Sequence, residues 1–239
     1  MRKLFYIGIV GLLLFEIANV YFIMPMPGSQ RMNSIEAAYF FHTWRWVFRG
    51  VFGLLILTAP KPARRRSGAP PVPMGALIVS VLILAGVIYM ANFEMAADTM
   101  FYQPSVLTLK NAAENKVGKE RLVIGVEING QARAYPIQYI GYHHQVRDTL
   151  GGKPIIVTYC TVCRTGRVFE PIVNNQVETF RLVGMDHFNA MFEDKTTGSW
   201  WRQANGEAIT GKLKGQTLPE LDITQTPLTN GWHCIPIVW

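Results

Sequence analysis

The hydrophobic positions fall into three long runs near the N-terminus, and then the pattern changes. Residues 4–24 are apolar apart from Glu16 and Asn19, residues 37–59 carry His42, Arg45 and Arg49, and residues 74–93 carry no charge. Each run reaches the roughly 20 residues needed to cross a hydrocarbon core of ~30 Å. The pattern predicts three transmembrane helices, the first two forming a hairpin over residues 1–59. Residues 60–73 form a basic loop, and residues 94–110 a tether. The first run is too long for a signal-peptide core, and no small-residue cleavage site follows it.

Beyond the tether the period shortens to that of strands. Residues 121–128 alternate as a strand, Asn129-Gly130 is a hairpin signal, and residues 131–137 return. Residues 139–148 fit either a strand or a helical turn. Gly151-Gly152 leads into the apolar run Pro154-Ile155-Ile156-Val157-Thr158-Tyr159, and further strands fall at 167–170, 176–183, 190–194 and 200–203. Strand alternation places one of Trp200 and Trp201 in the core and the other at the surface. The fold class is mainly β, an antiparallel domain over residues 111–239 with enough chain for its own core.

The formal charge of +7 changes meaning once it is located. Residues 94–239 carry equal numbers of basic and acidic side chains, so the excess belongs to the apolar part. It clusters at Arg2-Lys3 and at Lys61, Arg64, Arg65 and Arg66. Nucleic-acid binding loses its main support. Basic residues accumulate in short cytoplasmic loops. Both clusters lie inside if the chain crosses out, in and out again. The β domain is then extracytoplasmic, periplasmic or at the cell surface, on a multi-pass protein whose first partner is the lipid bilayer.

Within the spans, Glu16 lies eight residues before the end of the first run and Arg45 eight residues after the start of the second. At about 1.5 Å per residue both sit ~12 Å deep, so an ion pair between them is expected. His42, Arg45 and Arg49 share one helix face. Together with Glu16 they form a polar seam. It suits an internal ion pair, a cofactor or a partner subunit of a membrane complex. Met24, Met26 and Met32 cluster near Pro25 and Pro27. Their thioethers suit Cu(I), although methionine also simply fills apolar gaps.

Candidate chemistry concentrates at Tyr159-Cys160-Thr161-Val162-Cys163-Arg164. The C-x-x-C pair presents two thiolates to one ion, and His143, His144 or His187 would complete a tetrahedral set for zinc or copper. A redox C-x-x-C normally opens a helix that lowers the first thiol's pKa. Here the chain continues as strand, which disfavours thioredoxin-type chemistry. A bridge between Cys160 and Cys163, or from either to Cys234, is the structural alternative outside the cytoplasm. The Gly-rich stretch 206–215 lacks the strand–helix setting of a phosphate loop.

These residues carry a resemblance. His143 with Asp148, Gly-Gly-x-Pro at 151–154, and Val-Thr-Tyr-Cys-x-x-Cys at 157–163 resemble a bacterial and archaeal family known as domain of unknown function 3179. So do Asp194-Lys195-Thr196-Thr197-Gly198-Ser199-Trp200-Trp201 and the later Gly206-Glu207-Ala208-Ile209-Thr210-Gly211. The resemblance covers roughly residues 115–225. Family members often have Glu where this chain has His144, and their C-terminal Trp and His-Pro are spaced differently from Trp232-His233-Cys234-Ile235-Pro236. The resemblance implies a β-rich extracytoplasmic domain, often membrane-attached, and carries no reaction. The leading expectation is a membrane-anchored metal-handling or accessory protein with a Cys/His site for copper or zinc. The rivals are a structural subunit of a membrane complex with a disulfide-stabilised β domain, and a thiol redox protein.

Overall fold

The computed structural model describes residues 2–58, 74–104, 106–111, 114–229 and 235–238, with side chains from residue 3 to residue 229. The basic cluster at 61–66 and Cys234 lie outside the described residues. The chain divides into two compact units, Met1–Ala96 and Ala97–Trp239.

The first unit is helical. Helix α1 spans Arg2–Tyr21, α2 Ile35–Thr43, α3 Arg45–Leu57 and α4 Met74–Tyr89, which continues into a π turn, Met90–Glu94. Two helices are long and apolar enough to cross a membrane, Lys3–Tyr21 and Met74–Glu94. The run at 37–59, expected as one span, is instead two shorter helices that meet at Trp44, where φ is −94° and ψ is 12°. The backbone there leaves the helical region, and neither piece alone reaches spanning length. Helix α3 packs tightly on α1. A Cβ on Gly8 would lie 2.9 Å from backbone atoms of Phe52 and Ile56, so only glycine allows this approach. Phe15 and Phe48 stack across the contact with ring centroids 4.9 Å apart.

The second unit is built on antiparallel sheets. It opens with a short helix α5, Ala97–Met100. Strands β1 Thr108–Leu109, β2 Leu122–Ile128 and β3 Gln131–Pro136 follow, then helix α6, Ile137–His143. Next come β4 Gln145–Leu150, β5 Lys153–Cys160, β6 Thr165–Phe169, β7 Ile172–Val173 and β8 Gln176–Val177. The chain continues with β9 Phe180–Asp186, β10 Asn189–Asp194, β11 Trp200–Arg202 and β12 Ala208–Thr210. It ends with β13 Ile223–Pro227 and β14 Ile235–Val238. The sheets have the orders β1-β14-β3-β2-β13, β12-β11-β10-β9, β4-β5-β6 and β7-β8, and only the β14–β3 pair is parallel among the described residues.

Strand β5 divides two cores. Ile155, Val157 and Tyr159 join Ile124, Tyr135, Val146 and Val168 on one side, whereas Ile156 and Cys160 join Phe169, Phe180, Phe192 and Trp201 on the other. Burial of both faces is why this strand reads as a continuous apolar run without alternation. Ala97, assigned by sequence to a tether, is buried in the second cluster, and Phe101 packs against it.

Both tryptophans are buried, contrary to the surface expectation for one of them. The alternation rule assumes one wet face, and here each indole N–H has an acceptor on the neighbouring strand β10. Trp200 donates to Glu193 Oε2 and Trp201 to Asp194 Oδ2, each at 2.9 Å. Asp194 also accepts from the backbone N–H groups of Thr197, Gly198 and Ser199. It thereby closes the turn of the Asp-Lys-Thr-Thr-Gly-Ser motif.

Candidate dithiol site

The cysteines lie at the tip of the β5–β6 hairpin. Cys160 is the last residue of β5 and pairs with Thr165, the first of β6, leaving residues 161–164 as the turn. Arg164 takes the left-handed conformation (φ 53°), and Thr165 Oγ1 donates to Cys163 O at 3.0 Å. The turn folds back so that the Cys163 N–H points at Cys160 Sγ, 3.4 Å away. Cys160 is buried and Cys163 exposed, and both are free thiols.

A second hairpin closes on this tip. His187 and Phe188 form the two-residue turn between β9 and β10, both with positive φ, 49° and 63°. That geometry normally selects Asn-Gly, so two bulky residues here hold local strain. The result is that Phe188 O lies 3.6 Å from the sulfur of Cys160 and 3.6 Å from that of Cys163. The two thiols converge on one atom.

Buried amides fix the arrangement. Asn189 donates from Nδ2 to Cys163 Sγ at 3.4 Å and to Gln203 Oε1 at 3.0 Å, while its Oδ1 accepts from Ala204 N at 2.9 Å. Gln203 in turn donates to Thr158 Oγ1 and Thr165 O, both at 3.1 Å. Each end of the network is satisfied, as buried polar groups require. Asp186 accepts two hydrogen bonds from Arg202 on Oδ2, at 2.6 and 2.8 Å, and faces His187 Nδ1 at 2.7 Å on Oδ1. The Cys163 thiol is pushed above its ordinary value, first by partial burial and then by the neighbouring Cys160; the Asn189 donor opposes this.

The histidines go elsewhere. His143 ends α6 with its ring on Tyr102 O. His144 is buried with Nδ1 3.0 Å from Tyr159 O and its ring edge-on to Phe101 at 4.8 Å. Burial lowers its pKa, and the Tyr159 carbonyl opposes the shift. Only His187 shares a turn with the carbonyl that meets the thiols. Among the described residues, no group of three or more His, Cys, Asp or Glu is placed to hold a metal. The expected Cys/His tetrahedral set is therefore not brought together. Asn189, Gln203 and Phe188 belong to the site but carry no signal in sequence, because amides and a carbonyl have no characteristic spacing.

The polar seam also differs from expectation. Glu16 pairs with Arg49, not Arg45. Arg49 Nε donates to Oε1 at 2.7 Å and Nη2 to Oε2 at 2.9 Å. Arg45 instead donates to His42 O at 2.5 Å. Equal depth for Glu16 and Arg45 holds only for one continuous helix. With the break at Trp44, it is Arg49, one turn further along, that meets Glu16. Asn92 completes the cluster, donating to Glu16 Oε2 and accepting from Arg49 Nη2, and Trp46 lies under the guanidinium with its centroid 5.0 Å away.

Fold and site together define a β domain with a vicinal dithiol at a hairpin tip, on a chain that also holds two apolar helices of spanning length. Residues 101–233 match the family model described as "Protein of unknown function (DUF3179)". The chain belongs to that family. No curated protein and no solved structure matches it.

Proposed function

We propose that Cys160 and Cys163 bind a soft monovalent metal ion, Cu(I), through two thiolates, in a membrane-anchored protein that handles copper or serves a membrane complex. The supporting observation is the convergence of both sulfurs on Phe188 O at equal distance, with one thiol open to solvent for entry. Two-thiolate coordination suits Cu(I), whose preference for soft sulfur needs no imidazole. Zinc wants four ligands, and of the histidines that would supply them His143 and His144 are held at other carbonyls and His187 faces Asp186. In this reading helices α1 and α4 anchor the chain in the bilayer, α2 and α3 form the remaining crossing, and the β domain lies outside the cytoplasm.

A reversible Cys160–Cys163 disulfide is the second reading, favoured by the approach of the Cys163 N–H to Cys160 Sγ. Titrating the reduced full-length protein with Cu(I) against a competing chelator tests the proposal. Loss of one tightly bound equivalent in Cys160→Ser/Cys163→Ser is the expected result, and an unchanged stoichiometry overturns it. Mass spectrometry of protein isolated under alkylating conditions reports the disulfide directly.

A further inference from the structure

The helical unit contains a cavity of about 350 Å³ with almost wholly apolar walls. Three thioethers line it: Met26 just beyond α1, and Met90 and Met95 at the end of α4. The backbone there is unusual. Met90–Glu94 is a π turn, and its wide hydrogen bond runs from Met95 N to Met90 O at 2.9 Å, between the two methionines themselves. Such single π turns within α-helices are frequent at functional sites. Asn92 sits inside this turn and is tied to Glu16 and Arg49. The polar cluster thus anchors the segment that carries two of the three sulfurs.

We propose that Met26, Met90 and Met95 form a second Cu(I) site, held by three thioether sulfurs. Neutral thioethers select Cu(I) over harder ions. Glu16, the one ionisable side chain lining the cavity among the described residues, is paired with Arg49 and offers no spare charge, so a monovalent ion leaves less charge uncompensated there than a divalent one. Binding involves no redox step and no proton release, since a thioether carries no proton to lose. The site borrows from the dithiol reading only the identity of the ion and shares no residue with it.

The experiment is a Cu(I) titration of the full-length protein in detergent or nanodiscs, under ascorbate, with a chromogenic Cu(I) chelator as competitor. Wild type binds two equivalents. Cys160→Ser/Cys163→Ser/Cys234→Ser binds one, and adding Met26→Leu/Met90→Leu/Met95→Leu abolishes it. If the dithiol reading alone fails, wild type and the cysteine-free variant both bind one equivalent. A cysteine-free protein that binds none, or that binds equally well with three leucines, overturns the methionine site. Should the leucine variant not fold, methionine methyl NMR of the cysteine-free protein decides. The signals of Met26, Met90 and Met95 shift together with one equivalent of Cu(I), and an unmoved set refutes the site.

Discussion

Arg49 grips Glu16 through two parallel hydrogen bonds, with the carboxylate fully buried and Asn92 closing the third side. In an apolar surrounding, a fork of this kind is strong chiefly because breaking it strands a charge. Arg49→Ala should therefore destabilise the helical unit by about 3–5 kcal/mol. Replacing both partners, as in Glu16→Gln/Arg49→Met, should recover most of that loss. Arg45→Ala, which does not touch Glu16, should cost less than either. Denaturation in mixed micelles followed by circular dichroism ranks the three. A larger loss for Arg45→Ala would contradict the pairing.

Asp194 holds three backbone donors, the Thr197 hydroxyl and the Trp201 indole while buried at 1% exposure. Each stranded buried donor costs about 1–3 kcal/mol. Asp194→Ala should lower stability by at least about 3 kcal/mol, and Asp194→Asn by less, because the amide keeps one acceptor oxygen. Denaturant unfolding monitored by tryptophan fluorescence measures both.

The turn at His187-Phe188 offers the opposite effect. Two non-glycine residues in the left-handed region cost roughly 1–2 kcal/mol each. His187→Asn/Phe188→Gly supplies the pair that this hairpin prefers and should raise stability by about 1–2 kcal/mol. The double substitution keeps the carbonyl at position 188, so Cu(I) affinity should be retained. A marked loss of affinity would show that the imidazole or the phenyl ring takes part.

Acid sensitivity should arise partly at His144. Its folded pKa is lowered below the ordinary 6.5, so protons bind the unfolded chain more readily. Its contribution to stability is complete above about pH 6.5 and is lost as pH falls through the lower folded value. His144→Asn should flatten the stability profile below about pH 6. An unchanged slope in urea melts across pH 4.5–7 would refute this assignment.

The two thiols should react unequally. Cys160 is buried, and Cys163, though exposed, ionises above the ordinary value of 9.0. Since the thiolate is the nucleophile, iodoacetamide should modify Cys163 more slowly than free cysteine at pH 7, with the rate climbing as pH passes 9. Cys160 should stay unmodified until the domain unfolds. Peptide mapping after timed alkylation distinguishes the two.

Much of the strand pattern is legible in the sequence. Asn129-Gly130 marks the β2–β3 turn, and the Lys153–Cys160 strand stands out by its apolar run. Among the described residues the domain sheets are antiparallel apart from one pair. What sequence could not show is where the chain departs from regular geometry. The break at Trp44 has no proline or glycine to announce it, and it moved the ion pair from Arg45 to Arg49. At the cysteines, C-x-x-C located the site, but spacing cannot tell whether a histidine turns toward a sulfur or toward a carbonyl. His143 and His144 both turn to carbonyls, and the atoms that do meet the thiols, Phe188 O and Asn189 Nδ2, come from the β9–β10 turn, which no Asn-Gly or other turn signal marks in the sequence.

In the proposed dithiol site two sulfurs, without imidazole, hold the ion. X-ray absorption at the copper edge, on cysteine-intact Met26→Leu/Met90→Leu/Met95→Leu protein loaded with one equivalent of Cu(I), tests this most directly. A first shell of two sulfur scatterers and no outer-shell pattern from a histidine ring is the expected result. A shell dominated by nitrogen or oxygen, or a clear imidazole pattern, would contradict it.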